Sequence, residues 1–223
     1  MDIVKNLNSI RNNIPGAVTL VAVSKTKPAS MILDLYRAGH HDFGENKVQD
    51  LVAKAEELPK SIKWHMIGHL QSNKVKFIAP FVYLIHGVDS LKLLKVIDRE
   101  GEKLGRSINC LLQIHIADEQ TKFGLSGIEL KELLNSEEFA AMKHINIMGL
   151  MGMATYTDDI EQVKLEFRML KRIFEDTKEG FFKNSDFFKE ISMGMSGDYQ
   201  IAIEEKSTMI RVGSLIFGPR NYL

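Results

Sequence analysis

Hydrophobic and polar positions along the chain alternate between two periods. Short β-branched and apolar runs, typical of strands, recur eight times between segments in which apolar residues return every three or four positions, as on one helix face. The predicted strands are Thr19–Lys25, Asp42–Asn46, Trp64–Gly68, Tyr83–Asp89, Cys110–Ile116, Ile145–Met153, Glu190–Ser196 and Met209–Phe217. Strands that alternate with helices in this way indicate a parallel sheet covered by helices.

Several of the predicted helices have recognisable ends. Ser30 is expected to cap a helix at 31–38, while Ser90 opens and Gly105 closes one at 91–104. A long amphipathic helix begins near residue 160, with Thr157 or Asp158 as its predicted cap. Further helices are predicted at 2–10, 48–58 and 198–205.

The number of strands narrows the fold class. Eight strand–helix units close a (β/α)₈ TIM barrel, a fold of about 250 residues, and this chain has 223. An open doubly wound sheet would place a G-x-G-x-x-G turn after its first strand, where this chain has Ser-Lys-Thr-Lys-Pro at 24–28. We therefore predict an α/β chain with one TIM-barrel domain over 1–223; two small domains are the alternative.

Charge and cysteine content argue against several function classes. Lys and Arg number 29 and so do Asp and Glu, so the chain lacks the positive excess that nucleic acids and anionic membranes attract. The single cysteine, Cys110, offers no intrachain disulfide, which fits a reducing cytoplasm. No apolar run approaches the roughly 20 residues that span a bilayer. We expect a cytoplasmic protein with neither nucleic acid nor membrane as a partner.

Lys25 is the first candidate for chemistry, because functional residues of parallel barrels lie at the carboxyl ends of the strands. The period of two places it on the same side as Val21 and Val23. A lysine amine in apolar surroundings becomes a nucleophile that forms Schiff bases. The alternative is an ordinary surface lysine at a strand end.

A candidate anion site follows the last two strands. Ser196 precedes a predicted helix, and Gly213 and Ser214 lie near the end of the eighth strand. TIM barrels often bind phosphate between these two loops, and a glycine lets backbone approach a ligand closely. The alternative for Ser196 is a helix cap without a ligand.

Arg211 lies inside a predicted buried strand, where an arginine must be paired or must serve a ligand. A buried ion pair, for instance with Glu45, is the structural alternative.

His65 and His69 are four residues apart, but they lie in a strand and the turn after it, so no metal site is expected. His40 and His41, which follow a helix-ending glycine, are interpreted as solvated.

Five motifs spread over the chain are shared with a known family. They are VAVSKTKP at 21–28, FGEN at 43–46, WHMIGHLQSNK at 64–74, EISMGMSGDYQIAI at 190–203 and STMIRVGSLIFGPRNY at 207–222. With them the sequence resembles the pyridoxal phosphate homeostasis proteins, relatives of the barrel domain of alanine racemase. The resemblance implies an alanine racemase N-terminal-domain-like barrel of fold type III with pyridoxal 5′-phosphate (PLP) as cofactor.

The resemblance also implies roles for individual residues. Lys25 corresponds to the lysine that forms the internal aldimine, Arg211 faces the pyridine nitrogen, and Asn46 lies near the ring. The residues that correspond to the phosphate ligands are Ser196, Gly213 and Ser214. Two departures from the family pattern are Lys206, where glycine is usual, and His115, where asparagine is usual on the fifth strand.

The function that the resemblance implies is to hold PLP reversibly and to help control its free level and delivery, without strong catalytic activity. Expected partners are PLP and, transiently, apo-forms of PLP-dependent enzymes; a monomer is expected. The alternative is a PLP-dependent amino-acid racemase or decarboxylase of the same barrel type. Such racemases add a second β-domain, for which 223 residues leave no room. A class I aldolase that uses Lys25 is a weaker alternative.

Overall fold

Eight parallel strands close into a barrel in the computed structural model, which describes residues 2–118 and 123–219. Each strand pairs with the next along the chain, and the eighth pairs with the first. The strands are β1 Thr19–Val23, β2 Asp42–Glu45, β3 Lys63–Met66, β4 Leu84–Val88, β5 Ile108–Gln113, β6 Ile145–Met151, β7 Glu190–Ser192 and β8 Met209–Val212. The predicted TIM barrel is confirmed.

Helices cover the outside of the barrel. Within the described ranges they are α1 Ile3–Asn12, α2 Ala29–Arg37, α3 Val48–Glu57, α4 Val75–Ile78, α5 Leu91–Leu104, α6 Gly127–Asn135, α7 Glu137–Ala140, α8 Ile160–Phe181, α9 Tyr199–Glu204 and α10 Ser214–Phe217. The main core lies between these helices and the sheet. A smaller apolar cluster, made of Val21, Leu84, Leu111, Met151 and Met209, fills part of the barrel interior. An interior filled with side chains makes the barrel a packed core and not a pore.

The strands end earlier than the sequence pattern predicts. After β1 the chain turns at once, as the N–H of Lys27 donates to the carbonyl of Ser24 over 3.0 Å. The largest difference follows β8, where the predicted strand at 213–217 is instead the helix α10. A short apolar run such as Leu-Ile-Phe satisfies either period, so periodicity alone does not separate strand from helix there.

Two predicted caps are wrong and two are confirmed. Helix α2 begins at Ala29, and Pro28 occupies the cap position in an extended conformation, so Ser30 lies inside the first turn and does not cap the helix. Helix α8 is capped by Asp159, whose Oδ1 accepts from the next turn. Ser90 caps α5 as expected, and Gly105 ends it with φ of 62°.

The helices α6 and α7 were not among the predicted elements. The signal for α6 is a capping box, in which the Ser126 side chain accepts from the N–H of Glu129 and the Glu129 carboxylate accepts from the N–H of Ser126. The apolar face of α6 consists of Leu130, Leu133 and Leu134, all buried. Its sequence therefore carries both a start signal and a helical stripe.

His40 is buried, with 3% of its surface exposed, so its interpretation as a solvated residue is wrong, whereas the adjacent His41 is exposed as expected. Arg11 donates to its Nδ1 over 2.9 Å, and its Nε2 lies 2.9 Å from the carbonyl oxygen of Asp42. Arginine is only a donor, so Nδ1 accepts and Nε2–H donates. Burial, reinforced by the charge of Arg11, lowers the pKa of His40 to about 4.

The depressed pKa of His40 predicts loss of stability in mild acid. The unfolded chain binds this proton near pH 6.5, whereas the folded chain resists it down to about pH 4. Neutral His40 therefore contributes about 3 kcal/mol to the free energy of unfolding above pH 6.5, and this contribution is lost as the pH falls to 4. Urea unfolding of wild type and His40→Gln across this range checks it. We expect the free energy of unfolding to decline less steeply with falling pH in the variant, and to differ from that of the wild type by a constant amount above pH 7.5. Parallel pH profiles of the two proteins would contradict the prediction.

Lys206 follows helix α9 in the left-handed conformation, with φ of 72°. Its N–H donates to the carbonyl of Ile203, and the N–H of Ser207 donates to that of Ala202. These two bonds form a Schellman motif, in which the residue at the position of Lys206 is usually glycine. The departure from the family pattern thus leaves the loop in a conformation that glycine favours.

Replacing this lysine by glycine should stabilise the protein. Lys206→Gly removes the steric cost of a left-handed non-glycine residue, so we expect the free energy of unfolding to rise by about 1 kcal/mol. Lys206→Ala is the matched control, because it removes the same side chain but keeps the strained backbone. Equal stability of the two variants in urea would show that backbone strain at this position is negligible.

Candidate functional site

The predicted chemical residues surround the carboxyl end of the barrel. Lys25 lies half-buried in the turn directly after β1. The next residue, Thr26, has φ of 65°, a conformation that costs a β-branched residue about 1–2 kcal/mol. Strain of this kind is typical of functional sites. The turn thus presents Lys25 at the mouth of the barrel, where the strand-end argument predicted it.

A buried ion pair supports this turn from outside the barrel. The Lys54 amine, on α3, lies 2.6 Å from Oε1 of Glu45 and donates to the carbonyl of Ser24 over 2.9 Å. The Ser24 hydroxyl also donates to this carboxylate, over 2.7 Å. Burial raises the pKa of Glu45, against the opposing charge of Lys54. The pair ties α3 to the ends of β1 and β2, immediately before Lys25 and Asn46.

Asn46 follows β2 and carries an unsatisfied acceptor. Its Oδ1 is buried and has no hydrogen-bond partner, which costs free energy unless a ligand supplies a donor. The loop after β3 presses against it, since a Cβ on Gly68 would collide with the backbone carbonyl of Asn46. The glycine therefore permits the close contact that holds Asn46 in place.

Ser196 joins the loops after β7 and β8. Its hydroxyl accepts from the N–H of Gly213 over 3.2 Å, and α9 begins after Asp198, so the cap interpretation of Ser196 is wrong. A Cβ on Gly213 would stand 3.1 Å from the carbonyl oxygen of Val23, so β8 and β1 meet closely there. Ser214 is exposed as the first residue of α10. The structure brings these hydroxyl and backbone donors to one edge of the mouth.

Arg211 is buried inside the barrel, with 4% of its surface exposed. Its Nη1 donates to the hydroxyl of Ser192 over 2.6 Å, and its Nη2 donates to the carbonyl of Gly152 over 3.2 Å. The proposed ion pair with Glu45 is wrong, because Glu45 faces the outer helix and pairs with Lys54. Burial lowers the pKa of Arg211 to about 10, against the charge of Asp198, so the guanidinium stays protonated at neutral pH.

Two interior histidines were missed as members of this site. His65 and His86 are fully buried, and their rings are hydrogen-bonded to each other over 3.0 Å. His86 also bonds to Ser192, the partner of Arg211. The period of two on β4 places His86 on the same side as Leu84, so the strand pattern carried a signal for its interior position.

The second departure from the family pattern, His115, lies beyond the end of β5. Its N–H donates to the carbonyl of Leu125 over 3.0 Å, and its side chain is half-buried.

Among the described residues, no three His, Cys, Asp or Glu side chains converge as a metal site would require. In the same part of the chain, no helix combines the length and the apolar character needed to cross a bilayer.

A family model and individual related sequences both match almost the whole chain. Residues 2–221 match the family described as alanine racemase, N-terminal domain. The pyridoxal phosphate homeostasis protein of Haemophilus influenzae is 37% identical, with 100% of this chain and 98% of that protein covered. The human protein of the same name is 38% identical over 91% of this chain and 77% of its own length.

Solved structures extend the comparison. PipY of Synechococcus elongatus PCC7942, in a structure without PLP, superposes with a TM-score of 0.91 at 34% identity, covering 97% of this chain and 100% of that one. A second PipY structure has PLP bound, with a TM-score of 0.88 and the same identity and coverage. Alanine racemase of Clostridium difficile 630 shares the fold at a TM-score of 0.77 and 14% identity, with 98% of this chain and 60% of the racemase covered.

Proposed function

The chain belongs to the alanine racemase N-terminal domain family and, within it, to the pyridoxal phosphate homeostasis proteins, and we propose that it holds PLP through Lys25 for cellular PLP homeostasis. The observation that carries this proposal is the pairing of β1 with β8. Val21 stands opposite Arg211 in that pairing. Lys25 and Arg211 therefore reach the same end of the barrel from adjacent strands.

The residues of the mouth fit this cofactor in their chemistry. PLP supplies an aldehyde that an amine captures reversibly, and Lys25 provides such an amine. The phosphate suits the edge built by Ser196, Gly213 and Ser214, where the two serine hydroxyls can donate and the N–H of Gly213 holds the Ser196 hydroxyl in place. The unsatisfied Oδ1 of Asn46 is an acceptor for a donor group of the ring.

Arg211 affects the electronics of a bound ring, but it does not by itself separate a carrier from an enzyme, because the racemases of this barrel type have an arginine there as well. Its guanidinium keeps its proton at neutral pH, so a ring nitrogen facing it receives a hydrogen bond but is disfavoured from becoming charged. A neutral ring withdraws electrons weakly, which limits carbanion chemistry at a bound amino acid. The relatives named above are homeostasis proteins, which agrees with a carrier.

Several finer assignments stay predictions. We propose that the whole of 1–223 acts as one cofactor-binding domain, that apo-forms of PLP-dependent enzymes receive the cofactor in transient encounters, and that the protein is a cytoplasmic monomer. The racemase alternative remains as an outcome of the tests below.

Lys25 should carry the covalent link. Wild-type protein incubated with PLP is expected to turn yellow, and borohydride reduction should fix the cofactor to Lys25, as located by peptide mass mapping. Lys25→Ala should lose the trapped mass, whereas Lys47→Ala, which removes an exposed lysine after β2, should keep it. A wild-type protein that stays colourless with added PLP would overturn the proposal.

Amino-acid exchange separates the carrier from an enzyme. With PLP bound, incubation with single L-amino acids in deuterated water should give no α-proton exchange beyond that of free PLP, measured by NMR. Lys25→Ala supplies the background rate. Rapid exchange or racemisation of any amino acid by the wild type would establish the alternative, a racemase-type enzyme.

A further inference from the structure

A continuous line of polar side chains crosses the barrel interior from Arg211 to the opposite end of the barrel. Arg211 donates to Ser192, which lies 3.0 Å from Nδ1 of His86. Nε2 of His86 lies 3.0 Å from Nδ1 of His65, and Nε2 of His65 lies 3.1 Å from Oδ1 of Asp42. Barrel interiors are ordinarily filled by branched apolar side chains, so this line calls for its own explanation.

The chemistry of the two ends sets the direction of every bond. A guanidinium can only donate, and an ionised carboxylate can only accept. Burial alone raises the pKa of Asp42, but the hydrogen bond from His65 and the nearby charge of Lys63 lower it overall. Asp42 is therefore an anion at neutral pH, and His65 must donate to it from Nε2.

The remaining bonds follow one by one. Ser192 accepts from the guanidinium, so its own hydroxyl proton is left to donate to Nδ1 of His86. Burial, reinforced by the charge of Arg211, holds the pKa of His86 well below its usual value, so this ring is neutral and carries its proton on Nε2. That proton is donated to Nδ1 of His65, whose own proton lies on Nε2 and faces Asp42. All donors then point from the guanidinium towards the carboxylate.

We propose that Ser192, His86, His65 and Asp42 are positioning residues, forming a one-directional hydrogen-bond relay that orients the Arg211 guanidinium inside the barrel. The aligned bond dipoles turn a negative end to the buried cation and a positive end to the anion, so they stabilise both charges. Asp42, with 20% of its side chain exposed, connects the relay to solvent at the start of β2. The consequence of this relay for cofactor binding rests on the proposed function.

The direction of the relay can be measured without cofactor. In protein labelled with ¹⁵N-histidine at pH 7.5, long-range ¹H–¹⁵N correlation spectra should show both His65 and His86 as neutral Nε2–H tautomers. Signals are assigned with His65→Gln and His86→Gln. An Nδ1–H tautomer or a doubly protonated ring at either histidine would overturn the relay.

The positioning role is tested by removing its first link. Ser192→Ala leaves Arg211 without this charge-assisted bond, so we expect roughly tenfold weaker PLP binding and a shifted absorption band of the bound cofactor. Ser207→Ala is the matched control: Ser207 is also buried and its hydroxyl donates to the carbonyl of Met193, so affinity and spectrum should stay close to wild type.

The outcomes distinguish the relay from the proposed function. Equal effects of the two serine variants, or an unchanged spectrum in Ser192→Ala, would show that Ser192 does not position Arg211. If the wild type takes up no PLP, the proposed function fails, and the tautomers of the cofactor-free protein still decide the relay. If Ser192→Ala does not fold, the same spectra of the wild type decide it.

Discussion

The pairing of β1 with β8 closes the barrel and so fixes where every other strand and loop lies. It covers the two strand edges that an open sheet would leave exposed, and it runs in register from Thr19 opposite Met209 to Ala22 opposite Val212. Because both strands are parallel, their carboxyl ends meet at one rim. The closure thus places the Lys25 turn beside the strand that carries Arg211, and it explains why Gly213 has so little room against Val23.

A second constraint is the charge of Arg211 inside the closed barrel. Burying an unpaired cation is costly, and mutual satisfaction of polar groups is the usual solution. Here that solution extends across the interior through Ser192 and two histidines to a carboxylate at the far end. The interior therefore combines an apolar cluster, which holds the barrel together, with a polar line, which holds one guanidinium.

Much of the fold could be predicted from local pattern. The eight strands, the caps at Ser90 and Gly105, and the closed α/β architecture follow from periodicity and strand count. The positions at which the strands end could not be predicted, because they depend on where the following loops end the backbone hydrogen bonding between neighbouring strands. Helix α10 was missed because its three apolar residues fit either period, and Ser30 failed as a cap because the helix begins two residues earlier than predicted, at Ala29.

The residue types at the mouth of the barrel follow from the amino-acid pattern, because strand ends can be located from it and parallel strands bring their carboxyl ends together. Lys25, Ser196 and Gly213 could be named in this way, whereas Asn46 was named through the family resemblance. The partners of the polar residues could be identified only from the folded chain: Glu45 pairs with Lys54 and not with Arg211, and His86 bonds to a serine 106 residues away. Hydrogen bonds act over about 3 Å in space whatever the separation along the chain, so closure of the barrel had to come first.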